Sequence, residues 1–144
     1  MGATDIGKLC LFSQMSGVIT INNEPVRNAR LVRTVDYSGK QTDETTTNEQ
    51  GEFEFPVVFA RSIAKYLPQE FAASQEIIVY YNDKEYTMWS GVKRKPDENS
   101  ESRGKPLVVK CDLNNEEKLI KVNNSPIFSL CTWDVEPDKK RKAF

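Results

Sequence analysis

Residues 46–56 read TTNEQGEFEFP: polar residues leading to Gly51, then glutamate and phenylalanine alternating into Pro56. Two readings compete. An ion-binding loop of the EF-hand kind needs oxygen ligands at its first, third and fifth positions, glycine at the sixth and glutamate at the twelfth. Aligned on Gly51, those positions hold Thr46, Asn48, Gln50 and, at the twelfth, Val57, so the pattern fails at both ends. A turn that launches a strand fits better. Asparagine bonds its own backbone in turns, and glycine accepts positive φ. Phe53, Phe55 and Val57 then alternate with Glu52, Glu54 and Pro56, the period of a half-buried strand. Pro56 has no N–H for a ladder and predicts a strand end or an edge.

The same kind of signal recurs on both sides. Residues 16–21 (SGVITI) are β-branched and run into the turn cluster NNEP. Residues 28–36 place Ala29, Leu31, Arg33 and Val35 on the better core face. Residues 42–47 read as a polar edge strand. Residues 76–92 form a hairpin candidate across Asn82-Asp83. A two-residue turn there sets Tyr81 opposite Lys84, Tyr80 opposite Glu85 and Val79 opposite Tyr86. Ile77, Val79, Tyr81, Tyr86 and Met88 then share the core face, and Ile78, Tyr80, Glu85, Thr87 and Trp89 share the other. In residues 107–113 the side chains of Leu107, Val109 and Cys111 point one way. Residues 118–122 and 127–133 suggest a further hairpin across NNSP. Only residues 60–74 look helical, with Ile63, Tyr66 and Leu67 at i, i+3, i+4 and Pro68 as the stop. Residues 93–106 are polar, charge-mixed and long enough to be mobile.

The expected architecture is therefore all-β: an antiparallel β-sandwich of about seven strands, with one short inserted helix. It forms a single domain over residues 1–144, with a core over about 9–113 and a C-terminal extension over 114–144.

Composition narrows the chemistry. With 144 residues, 38% hydrophobic and 28% charged, the chain can bury one core. A net charge of −1 leaves no basic footprint for nucleic acid. No apolar run approaches the ~18 residues that span a bilayer. The N-terminal MGATDIGKLCLF lacks the basic and apolar regions of a secretory signal, which predicts a cytoplasmic protein. Three widely spaced cysteines without a CxxC pair predict no zinc site and no disulfide framework: all reduced, at least two buried. There is no histidine. That removes histidine-based triads, metal ligation and acid–base work, and argues against an enzyme. No cofactor and no metal are expected.

Residues 15–58 resemble the carboxypeptidase regulatory-like domains, which share a transthyretin-like (prealbumin-like) sandwich. The matching residues are Gly17-Val18-Ile19, Glu24-Pro25-Val26 with Ala29 and Leu31, and Thr47-Asn48-Glu49-Gln50-Gly51-Glu52-Phe53-Glu54-Phe55. Asn23 or Glu24, and Asn28, replace the glycines that often flank the Pro-Val pair. The resemblance implies a non-catalytic scaffold or interaction module. Its enzymatic relatives, the hydroxyisourate hydrolases, depend on histidines that this chain lacks.

The candidate sites are few. The carboxylate pairs Asp43/Glu44, Glu52/Glu54 and Asp83/Glu85 read as solvation. Arg27, Arg30 and Arg33 do not share one strand face. The basic cluster Lys139, Lys140, Arg141 and Lys142 reads as a solvated end. Asn123-Asn124-Ser125 is a glycosylation sequon that matters only in a secretory context. The sharpest candidate is the mixed hairpin face, where Ile78, Tyr80 and Trp89 form a protein-binding hot spot unless the 60–74 segment covers them. The expected function is a non-enzymatic protein-binding module. Domains resembling this one hold cargo on type VI secretion spikes, which makes an adaptor or an immunity protein for a bacterial secreted toxin the leading expectation. A carbohydrate- or surface-binding module is the alternative, and an enzyme using carboxylates or lysine comes last.

Overall fold

Asn48 closes the turn at the head of the quoted stretch. Its Oδ1 accepts the N–H groups of Gln50 (3.0 Å) and Glu52 (2.9 Å). Gly51 sits at φ 78°, and a Cβ there would lie 2.5 Å from the Ile19 carbonyl oxygen, so only glycine fits. Thr47 Oγ1 accepts the Ala29 N–H (2.9 Å), tying the turn to the neighbouring strand. Phe53 and Phe55 then enter the core while Glu52 and Glu54 face solvent. The stretch is a turn and a strand, with no cluster of metal-ligating side chains among the described residues.

The computed structural model describes residues 8–61 and 71–139. Its strands are β1 (Lys8–Phe12), β2 (Met15–Ile21), β3 (Glu24–Pro25), β4 (Arg30–Asp36), β5 (Lys40–Thr46), β6 (Glu52–Phe55), β7 (Val58–Arg61), β8 (Ala73–Tyr81), β9 (Lys84–Lys93), β10 (Leu107–Asp112), β11 (Lys118–Val122), β12 (Ser125–Ser129) and β13 (Cys131–Trp133). The larger sheet runs β11-β12-β9-β8-β4-β5. The smaller runs β13-β10-β2-β3, with β6 also on β2, and β1 and β7 form a two-stranded ribbon. The inner faces make one core, from Leu31, Val35, Ile77, Val79, Met88 and Ile127 on one side to Met15, Ile19, Phe53, Phe55, Leu107 and Val109 on the other. The protein is an all-β sandwich.

Among the described residues the pairings are antiparallel except one: β10 lies parallel to β2, Leu107 opposite Met15 through Asp112 opposite Thr20. Gly17 permits that approach, since a Cβ there would lie 2.3 Å from the Val109 carbonyl oxygen. The polar segment expected at an edge is β5, the last strand of the larger sheet, and β6 ends before Pro56. Three of the hairpins turn on Asn22-Asn23, Asn82-Asp83 and Asn123-Asn124. All six residues have φ between 50° and 68°, the left-handed pairs that match strand twist.

Several expectations change. The helix read over residues 60–74 falls mainly on 62–70, outside the described residues, and its ends belong to β7 and β8. The single strand read over 127–133 divides at Leu130. β12 belongs to the larger sheet and β13 to the smaller, so the chain crosses the sandwich there. Residues 114–139 are therefore no appendage: they extend both sheets.

The loop over 93–106 is anchored. Lys93 is buried and donates to the carbonyls of Lys95 and Asp97 and to Ser100 Oγ. Glu101, 1% exposed, accepts from Ser13 Oγ (2.5 Å), the Ser13 N–H (3.1 Å) and Gln75 Nε2 (3.0 Å). Polar composition argued for solvent, but a buried charge that meets enough partners holds a loop in place.

The expectation of three reduced cysteines is overturned. Cys111 and Cys131 stand opposite each other on β10 and β13 and form a disulfide. Cys10 is free and buried, and burial pushes its thiol above the ordinary value, so it stays protonated and inert.

Candidate functional site

The hairpin over β8 and β9 begins in the expected register, with Tyr81 opposite Lys84, Tyr80 opposite Glu85 and Val79 opposite Tyr86. A β-bulge then intervenes: Ile78 pairs with Thr87, but Ile77 pairs with Trp89, leaving Met88 extra. The bulge turns Trp89 from the outer face to the inner one, and Met88 and Trp89 are both buried. The proposed trio of Ile78, Tyr80 and Trp89 is thus divided. Ile78 and Tyr80 remain half-buried on the outer face, whereas Trp89 packs between Phe12 (5.8 Å between ring centroids) and Trp133 (4.9 Å). Its Nε1–H donates to Gln75 Oε1 at 2.9 Å. A fully buried tryptophan cannot anchor a partner, so Trp89 belongs to the core.

The outer face of the larger sheet can be read row by row from its register. One row carries Glu85, Tyr80, Arg30 and Thr46, with the Arg30 guanidinium 4.9 Å above the Tyr80 ring and bonded to Glu44 (2.9 Å). The next carries Thr87, Ile78, Val32 and Glu44. A third carries Leu119, Phe128, Ser90, Glu76, Thr34 and Thr42. The fourth carries Lys121, Pro126, Val92, Ser74, Asp36 and Lys40. Leu119 and Phe128 are 55% and 42% exposed, two of the four most exposed large apolar side chains among the described residues. Between this ridge and Asp36, over small side chains on β8 and β9, lies an open groove of about 390 Å³. Sequence reasoning missed the ridge because β12 had been joined to β13, which left Phe128 without an assigned face.

The other candidates separate. Arg27 meets Glu49 at 3.8 Å and Arg30 meets Glu44. Arg33 lies fully buried between the rings of Phe12 and Phe55, bidentate to Asp43 at 2.8 and 2.6 Å, with its Nη1 unpartnered. The three arginines form no anion patch. Asp43 and Glu44 serve different arginines, and Glu52 and Glu54 accept from Asn48 and Gln14. Asn123 spends its side chain on Ser100 and Arg103, so the sequon is occupied by structure. Of the basic cluster, Lys140, Arg141 and Lys142 lie outside the described residues, and Lys139 is exposed.

Two aspartates cap hairpin turns from a distance. Asp112 accepts the N–H groups of Asn114 (2.9 Å) and Asn23 (3.2 Å) and the hydroxyl of Thr20 (2.9 Å). Asp138 accepts the N–H groups of Asn123 and Asn124, each at 2.8 Å, and Arg103 at 2.6 Å. For both carboxyls burial pushes the pKa up, but these donors outweigh it and hold it below the ordinary 3.8. A depressed folded pKa gives stability that is present above the unfolded value and is lost as pH falls through the folded one. Thermal unfolding from pH 7 to pH 2 is expected to show an acid limb beginning below about pH 4. In Asp138→Asn that limb is shallower and the stability at pH 7 lower. An unchanged limb excludes this role for Asp138.

The fold and this face define a β-sandwich with one broad, partly apolar sheet surface. The chain belongs to the DUF6795 family, a domain of unknown function, whose model matches residues 15–116. No curated protein and no solved structure matches the chain. The matched region runs from β2 through β10, so β11 to β13, with Leu119 and Phe128, lie beyond it. No helix among the described residues is long and apolar enough to cross a membrane.

Proposed function

We propose that this protein is a non-enzymatic binding module that holds another protein on the outer face of its larger sheet. The observation that carries the reading is the set of apolar side chains on four strands of that face: Val32 on β4, Ile78 and Tyr80 on β8, Phe128 on β12 and Leu119 on β11. Aromatic side chains ringed by polar groups are the usual anchors of protein interfaces. The resemblance of residues 15–58 to carboxypeptidase regulatory-like domains with transthyretin-like folds supports a scaffold, and extends the proposal to an adaptor or an immunity protein for a bacterial secreted toxin. The Cys111–Cys131 disulfide favours an oxidising compartment for that work over the cytoplasm read from the N-terminus.

The test is recovery of the tagged protein from its native cell, beside an Ile78→Ala/Tyr80→Ala variant. Wild type is expected to retain one stoichiometric protein partner. The variant, which changes only half-buried side chains, folds normally and binds at least about 30-fold more weakly, the effect of losing about 2 kcal/mol of anchor contacts. Recovery of glycan in place of protein, or equal retention by the variant, overturns the reading.

A further inference from the structure

The groove beside Phe128 specifies the chemistry of a partner, and the inference rests on the outer face being the binding surface. Its wall on β12 is apolar: Phe128, with Pro126 one row away. Its other end is acidic. Glu76 on β8 and Asp36 on β4 are diagonal neighbours across adjacent strands, since Glu76 faces Thr34 and Asp36 lies two residues further along β4. Neither takes part in an ion pair among the described residues, whereas Glu44 and Asp43 nearby each hold an arginine. Lys40, opposite Asp36, also lines this end of the groove but makes no ion pair with it among the described residues. The floor between the ends is hydroxyl-bearing: Ser90, Ser74 and Thr34.

The spacing sets the occupant. From β12 to β8 is two strand steps, about 10 Å, and from β12 to β4 three steps, about 14 Å. Side chains i and i+4 of an extended chain point the same way about 13 Å apart. We infer that the groove takes an extended segment of a partner protein, laid across the strands, with an apolar side chain on Phe128 and a lysine or arginine four residues later between Glu76 and Asp36. The cation completes the two carboxylates, and the floor hydroxyls bond the segment's backbone. The free edge of β11 is a poorer site for such a segment, because the Lys121 carbonyl already accepts the Asp138 N–H at 2.7 Å.

The experiment titrates the isotope-labelled full chain with the heptapeptide TLTSTKT, following amide resonances by NMR. Expected shifts centre on Thr34, Ser74, Glu76, Ser90 and Phe128. Binding falls about tenfold with TLTSTET, with TATSTKT, on Asp36→Asn/Glu76→Gln and on Phe128→Ala. All these variants change exposed or half-buried positions, and unchanged melting temperatures verify their folding. Equal binding of the lysine and glutamate peptides, or shifts confined to other surfaces, overturns the inference. A native partner that is lost on Ile78→Ala/Tyr80→Ala but bound fully by Asp36→Asn/Glu76→Gln also overturns it, while leaving the general binding function intact.

Discussion

Trp89→Ala is expected to lower the unfolding free energy by about 3–5 kcal/mol, the usual effect of emptying a buried aromatic site. The side chain has no exposed surface. Its removal leaves a cavity between Phe12 and Trp133 and takes the donor from Gln75 Oε1. An acceptor left buried without a partner costs a further ~1–3 kcal/mol. Gln75 also holds the Leu11 carbonyl and Glu101, so the loss spreads into the anchor of the 93–106 loop. Trp89→Phe refills most of the space and isolates the hydrogen-bond contribution. Domains of this size have roughly 5–15 kcal/mol of stability in total, so the alanine variant is partly unfolded or close to it. Urea denaturation with unchanged m-value measures the difference. A loss under about 1 kcal/mol is incompatible with the buried position.

Removing the disulfide by Cys111→Ala/Cys131→Ala is expected to destabilise the protein by about 3 kcal/mol, the loop-closure value for a separation of 20 residues. Both cysteines are almost fully buried, so a reductant reaches the bond only through local opening, and the bridge acts as a staple. It ties β13, three residues long, to β10. Two residues beyond Cys131, Trp133 stacks on Trp89 and donates to the Glu101 carbonyl at 3.0 Å. The double variant should therefore change tryptophan fluorescence as well as melting temperature. Alkylation of denatured, non-reduced protein is expected to label Cys10 alone, and all three cysteines after reduction. Labelling of three thiols without reductant shows that the bridge is absent.

Much of the fold was legible because it rests on local rules. Period-two alternation marked β6, β8 and β10, and the pairs Asn22-Asn23, Asn82-Asp83 and Asn123-Asn124 marked three hairpin turns. Arg33 was assigned to the core face by position alone, against its charge, and it is there, held by Asp43 and the two phenyl rings with only its Nη1 left unpartnered. The candidate site was legible only in part. Ile78 and Tyr80 lie where the hairpin register puts them. Trp89 does not, because a one-residue bulge moves every later side chain to the other face, and a bulge has no local signature here. The energy that selects it comes from Phe12 and Trp133, more than 40 residues away in either direction.

The division between the two levels follows from range. The amino-acid sequence by itself determined the all-β class, the turn at Asn48 and Gly51, the start of the β8–β9 register and the exclusion of histidine chemistry. Each depends on residues a few positions apart. Tertiary structure decided the parallel seat of β10 beside β2, the crossing at Leu130, the meeting of Cys111 with Cys131 and the exposure of Leu119 and Phe128 on the same sheet face as Ile78. These depend on which distant strands become neighbours. That choice is made by the whole core burying its apolar surface at once, and no short window of sequence contains it.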